Sequence, residues 1–166
     1  MTLLLRFWDD PALFTVCPPV DENEFGGVQL VSFGSALAAK MKDAKGVGLA
    51  ACQVGVLKRV FCMFLDDNPI VICNPVLTLG GDVARDQEGC LSMPGVYIQI
   101  ERAVDVNMRY NALDGKMHEI TMSGLNARIA QHETDHLDGV FFIERVSRQV
   151  RRAALREWEK RKGEMK

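Results

Sequence analysis

The run Gln131-His132-Glu133-Thr134-Asp135-His136 constrains this chain more than any other stretch. It holds two of the chain's three histidines, four residues apart, with a glutamate directly after the first. On a helix, residues four apart lie one turn above each other on one face. Two imidazoles placed so can close on a single divalent metal, and Glu133 then reaches a water there as its base. Gly124 and Gly139 bracket the helix as start and stop signals. Leu125, Ile129, His132 and His136 follow at steps of four, three and four, so apolar residues and both histidines share one stripe. The metal is therefore expected against the core, with a dry wall beside it. The pattern predicts metal-assisted hydrolysis.

At 166 residues the chain can build one domain with its own core, and a single catalytic domain over 1–166 is expected. A composition of 48% hydrophobic and 25% charged residues fits a soluble globular protein. No apolar run approaches a membrane span, so no membrane partner is expected, and residues 1–10 lack the pattern of a secretory signal. The five cysteines, at 17, 52, 62, 73 and 90, are odd in number and show no paired spacing. They fit a reducing cytoplasm better than a disulfide framework. The net charge of −2 conceals an asymmetry: the segment from Arg145 to Lys166 carries +6 and the remainder −8. Such a tail meets an anionic partner, or it is the solvated face of a terminal helix.

Residues 1–27 read as an irregular segment broken by Pro11, Pro18 and Pro19. Leu30, Phe33, Leu37 and Met41 recur at helical steps, which predicts a helix over 28–44 that stops at Gly46. Strands are expected over 56–65, 69–79, 96–100, 104–110 and 117–122, with a turn at Asn111–Gly115. The motif helix follows, and then a basic C-terminal helix over 147–166 with Val146, Val150, Ala154 and Trp158 as its apolar stripe. Strands grouped before the motif helix predict an α+β fold.

A catalytic metal needs three protein ligands and an open position. No histidine follows His136. Glu157 and Glu159 are candidates by distance and would make the chain a zinc peptidase, but both lie among Arg and Lys on the terminal helix. The better candidate is Cys90, in Glu88-Gly89-Cys90-Leu91-Ser92, since a thiolate suits a first-row divalent metal. A third segment, Gly46 to Gly55, has glycines that admit a second backbone, and Gln53 offers an amide donor for an oxyanion. It lacks the Lys and Ser/Thr of a phosphate-binding loop. Alone, it reads as a turn with a solvated glutamine.

In this order the three runs resemble the peptide deformylases, whose signatures Gly-x-Gly-Leu-Ala-Ala-x-Gln, Glu-Gly-Cys-Leu-Ser and Gln-His-Glu-x-Asp-His stand intact at 46–53, 88–92 and 131–136. The resemblance continues through Ile72-Cys73-Asn74-Pro75 and Gly124-Leu125-x-Ala127-Arg128. It implies antiparallel or mixed strands packed around a central metal-binding helix, with N-terminal and C-terminal helices. It implies removal of the formyl group from N-formyl-methionyl peptides, with formate as product. Cys90, His132 and His136 would hold one divalent ion per chain, ferrous iron natively, with zinc, nickel or cobalt as replacements. Glu133 would be the base, and the Gln53 amide and the Leu91 backbone N–H would face the oxyanion. Gly48 would meet the peptide backbone, with Leu125, Ile129 and Val47 lining the methionine pocket. Glu88 and Arg102 would pair behind the metal loop. Some C-terminal helices of the family contact the ribosome, so the tail at 147–166 is a candidate for that role. Departures are Tyr97, where many members carry arginine, and Cys52, where proline is common. A relative that binds formylated peptides without turnover is the remaining alternative, opposed by the intact Glu133, Gln53 and Cys90.

Overall fold

A computed structural model describes residues 2–164, which form three α-helices and seven β-strands. Helix α1 spans Val28–Asp43. Leu30, Phe33, Leu37 and Met41 are all buried on its inner face, as their spacing predicts. It ends where Lys45 turns to φ 55° and the Gly46 N–H donates to the Met41 carbonyl at 2.9 Å.

The strands are β1 (Gly48–Ala50), β2 (Val60–Leu65), β3 (Asn68–Leu79), β4 (Val83–Cys90), β5 (Met93–Ala103), β6 (Asp105–Asn111) and β7 (Met117–Ser123). Five of them make one antiparallel sheet in the order β1-β2-β3-β6-β7, while β4 and β5 form a separate antiparallel hairpin. Every observed pair is antiparallel.

Two differences from the sequence reading have local causes. Strand β2 begins at Val60 rather than 56, because Ala51–Val54 winds into a 3₁₀ turn closed by Gly55 at φ 80°. Strand β4 shows no alternation because residues 83–87 are all exposed; its apolar partner strand β5 carries the buried face. The residues Cys73-Asn74-Pro75 mark where β3 leaves β2 and joins β6 through a bulge. Asn74 sits at φ 50°, a region asparagine tolerates, and its amide clamps both backbone groups of Val20 at 2.8 and 2.9 Å.

Helix α2 (Gly124–Leu137) lies between the two sheets. Its Ala127, Ala130 and Leu137 pack against Phe61 and Met63 of β2 and Met108 of β6. Gly139, at φ 70°, lets the chain leave: a side chain there would meet the Phe14 carbonyl at 2.9 Å. Helix α3 (Arg148–Glu164) turns Ala154 and Trp158 into a cluster with Val96, Ile98 and Ile100 of β5. Trp158 is 1% exposed, whereas Val150 of the expected stripe is 40% exposed. Residues 165–166 of the expected tail helix lie outside the described residues. No helix of the described residues is long and apolar enough to cross a membrane.

Candidate active site

Strand β1 is an edge strand of its sheet, paired only with β2. Its other side faces a cavity of about 400 Å³, with the β4–β5 hairpin as the opposite wall and α2 as the floor. Glycines at 46, 48 and 89 line the two walls, so the backbone itself is accessible there.

Cys90, at the end of β4, meets His132 and His136 on α2, with their ligand atoms all within 4.8 Å of one another. Cys90 Sγ lies 3.3 Å from His136 Nε2. The second nitrogen of His132 is already committed: Nδ1 donates to Glu88 Oε2 at 2.8 Å, which leaves Nε2 for a ligand. One thiolate and two imidazoles, buried and convergent, fit a first-row divalent metal and leave a coordination position open. Neither downstream glutamate joins them. Glu157 forms an ion pair on α3, its Oε1 2.9 Å from Arg161 Nε, and Glu159 is exposed.

Glu133 is next to this group but not in it. It is 4% exposed, its Oε2 has no partner, and its carboxyl lies directly under Gly48. A side chain at Gly48 would come within 2.5 Å of Glu133 Oε1 and displace that carboxyl, so glycine is what leaves it in place. Burial pushes the Glu133 carboxyl up to about 7, against the opposing pull of His132. Gln53 is buried rather than solvated. The Ala50 N–H donates to its Oε1 at 2.8 Å, which fixes the amide with Nε2 toward Ser92 Oγ at 3.1 Å and Cys90 Sγ at 3.5 Å. Leu91, Val47 and Ile129 line the same cavity, and so does Leu125, which stands at its mouth with 65% exposure rather than in the core.

Behind the metal group, Glu88 is the hub of a buried charge network. Arg102 donates to it from Nε and Nη2 at 2.9 and 3.0 Å, and Arg128 from Nη1 at 2.8 Å. Burial opposes its ionisation, but His132 and Arg102 hold its carboxyl well below the usual carboxylate range. Arg102 and Arg145 both donate to Asp135, which ties α2 to β5 and to the turn before α3. Burial likewise opposes the charge on His132, yet the Cys90 sulfur and the Glu88 carboxylate raise its pKa well above the ordinary value. His136 moves the other way: burial and the neighbouring His132 press it well below.

Sequence reasoning assigns no role to Arg128, Ser92 or Arg145. Arg128 has a signal: it stands one helical turn before His132, on the same face. Ser92 has only its place in the Cys90 run, and Arg145 has none. Tyr97 lies over Gly89, its cross-strand partner, and Cys52 is fully buried with its thiol donating to the His136 carbonyl at 3.4 Å.

The polypeptide deformylase family matches residues 4–152. This chain belongs to that family. A peptide deformylase of Treponema pallidum (strain Nichols) is 38% identical over 160 residues, covering 96% of this chain and 97% of the relative. A peptide deformylase from Synechococcus elongatus, solved in complex with actinonin, aligns at TM-score 0.88 with 36% identity, covering 95% of this chain and 86% of that one. A class I type b peptide deformylase from Acinetobacter baumannii, bound to Met-Ala-Ser, aligns at TM-score 0.85 with 34% identity over 88% of this chain and 99% of that one. As a member of the deformylases, the chain is a hydrolase that removes the N-formyl group from polypeptides, built on their α+β fold. A downstream-glutamate peptidase is not favoured. The deformylase fold supplies a Cys90/His132/His136 group able to bind a metal.

Proposed function

We propose that Cys90, His132 and His136 hold a ferrous ion, that Glu133 is the proton carrier, and that Gln53 and the Leu91 N–H receive the oxyanion. The observation that carries this reading is the unpartnered Glu133 carboxylate beside a complete three-ligand group. Zinc, nickel or cobalt suits the same donors. A bound divalent metal supplies Lewis acidity, which brings the pKa of its water toward roughly 7 and draws charge from the formyl oxygen.

Glu133 takes a proton from the attacking water as its oxygen bonds to the formyl carbon. The Gln53 Nε2–H and the Leu91 N–H donate to the oxygen that gains charge; one such donor is typically worth about 10²–10³ in rate. Glu133 then returns the proton to the departing nitrogen as the C–N bond breaks, giving formate and a free amine. The free side of β1 lets the peptide lie as an added strand, with Gly48 admitting its backbone above Glu133. The Met-Ala-Ser-bound relative supports a methionyl peptide as occupant of this cavity. Leu125 and Ile129 take the methionine side chain, and an apolar slot of this kind discriminates by about 1–3 kcal/mol per methylene. The chain acts as one catalytic unit in the cytoplasm.

Cys90→Ser is expected to weaken metal binding by about tenfold at the least, the low end of what even an indirect contact to a ligand is worth. Competition against a chromophoric chelator measures it, and unchanged affinity would remove Cys90 from the ligand set. The iron form should lose activity in air and the nickel form keep it.

The basic tail is assigned to ribosomal RNA. Arg152, Arg156 and Lys160 are exposed at steps of four on one outer face of α3. Removing the whole helix is a poor test, because Trp158 and Ala154 belong to the core. Replacing the three exposed cations with glutamine is expected to leave turnover of a short formyl-peptide intact and weaken ribosome cosedimentation. The log–log salt dependence should flatten by about one unit for each phosphate that is no longer neutralised. Equal cosedimentation at every salt concentration would make the helix purely structural.

A further inference from the structure

One cation, Lys45, lines the cavity and another, Arg161, lies next to a lining glycine; the chemistry at the floor uses neither. Lys45 lines the β1 wall; it is exposed and pairs with no carboxylate among the described residues. Its backbone sits at φ 55°, at the end of α1, where glycine would be free of the cost that a lysine bears. Arg161 of α3 is not itself a lining residue, but it lies against Gly95 of the hairpin wall, which is. Its Nη1 and Cζ are 2.7 and 3.0 Å from where a Gly95 Cβ would stand. Glu157 Oε1 lies 2.9 Å from the Nε of that guanidinium, while Nη1 lies at Gly95. The other charged residues lining the cavity lie at its floor: Glu88, bonded to Arg128, and the unpartnered Glu133 beneath Gly48.

The position of the reacting end follows from Gly48, which covers Glu133. An extended peptide advances about 3.3 Å per residue. Lys45 is three residues from Gly48 along the same wall, so the second and third residues of a bound peptide pass it. Resting on the deformylase reading, we propose that Lys45 and Arg161 make this enzyme prefer formyl-peptides with a carboxylate side chain at the second or third residue.

An exposed ion pair changes affinity by about two- to fivefold, so both cations together give a preference on the order of tenfold. The effect belongs in KM and not in kcat, because a remote carboxylate interacts equally before and during bond breaking. The test uses the metal-loaded full chain and four amidated substrates: formyl-Met-Asp-Ala, formyl-Met-Ala-Asp and their lysine counterparts. The aspartyl peptides should show the lower KM, and the gap should close in about 0.5 M salt, where exposed charges are screened. Lys45→Gln and Arg161→Gln should each narrow it and together abolish it, with kcat on a formyl-Met-Ala-Ala control unchanged. Equal KM values for all four peptides, or a preference that survives in the double variant, overturn the inference while deformylation stands. Absence of turnover on every formyl-peptide overturns the reading beneath it as well.

Discussion

Glu133→Ala is expected to retain its metal at wild-type stoichiometry and to hydrolyse formyl-peptides about 10²–10⁴ times more slowly, the usual range for a lost general acid–base group. The geometry separates these two effects. Glu133 lies outside the Cys90/His132/His136 group, so its removal takes no donor from the metal. Its Oε2 has no partner in the folded chain, so its removal breaks no hydrogen bond at that atom. Glu133→Gln keeps the volume beneath Gly48 but cannot accept the proton, and should be as slow as the alanine variant. Metal analysis and single-turnover kinetics on a formyl-Met peptide measure the two effects independently. Fully loaded alanine and glutamine variants that turn over near the wild-type rate would end the assignment of Glu133 as the proton carrier.

Glu88→Ala should instead damage the fold and the metal together. Glu88 accepts four hydrogen bonds, two from Arg102, one from Arg128 and one from His132. Its loss leaves the buried Arg128 guanidinium without a counter-ion and Arg102 with Asp135 alone, and breaking such a pair costs about 3–5 kcal/mol. The same substitution frees the His132 ring, and losing the group that orients a ligand costs about 10–100-fold in metal affinity. Glu88→Gln keeps the shape and one acceptor oxygen and should fall between wild type and alanine. Denaturant unfolding of the metal-free chain gives the first effect and chelator competition the second. A surface glutamate would shift stability by no more than about 0.5 kcal/mol, so a change that small in the alanine variant would contradict the hub.

The outlying charges show how sequence and tertiary structure divide the work. On sequence alone Glu88 and Arg102 are two unrelated surface charges, and Gln53 is a solvated glutamine in a turn; the family resemblance pairs the first two and aims the third at the oxyanion. The structure shows the contacts of the pair and of the amide. The Cys90 run ends β4, and the hairpin folds Arg102 of β5 back onto Glu88. The 3₁₀ turn after β1 aims the Gln53 amide at Cys90 across a separation of 37 residues. Leu125 shows the converse. Its helical spacing places it correctly on the face of α2 that carries the ligands, but the helix starts at the cavity mouth, so that face is open there and closed one turn later at Ile129.

The sequence by itself determined helix α2, the histidine pair on one of its faces, helix α1 and the apolar stripe that seats Trp158 of α3. All of these follow from a period of 3.6 residues, which is local and needs no partner to be read. The tertiary structure alone decided that β4 is a strand, that Arg128 and Arg102 share Glu88, that Arg145 reaches Asp135, and that Arg161 lies against Gly95 of the cavity that Lys45 lines. The Arg128–Glu88 contact spans 40 residues and Arg102–Asp135 spans 33. A charged side chain looks the same in a sequence whether it is solvated or buried. Only chain reversal brings up the opposite charge that lets it leave water.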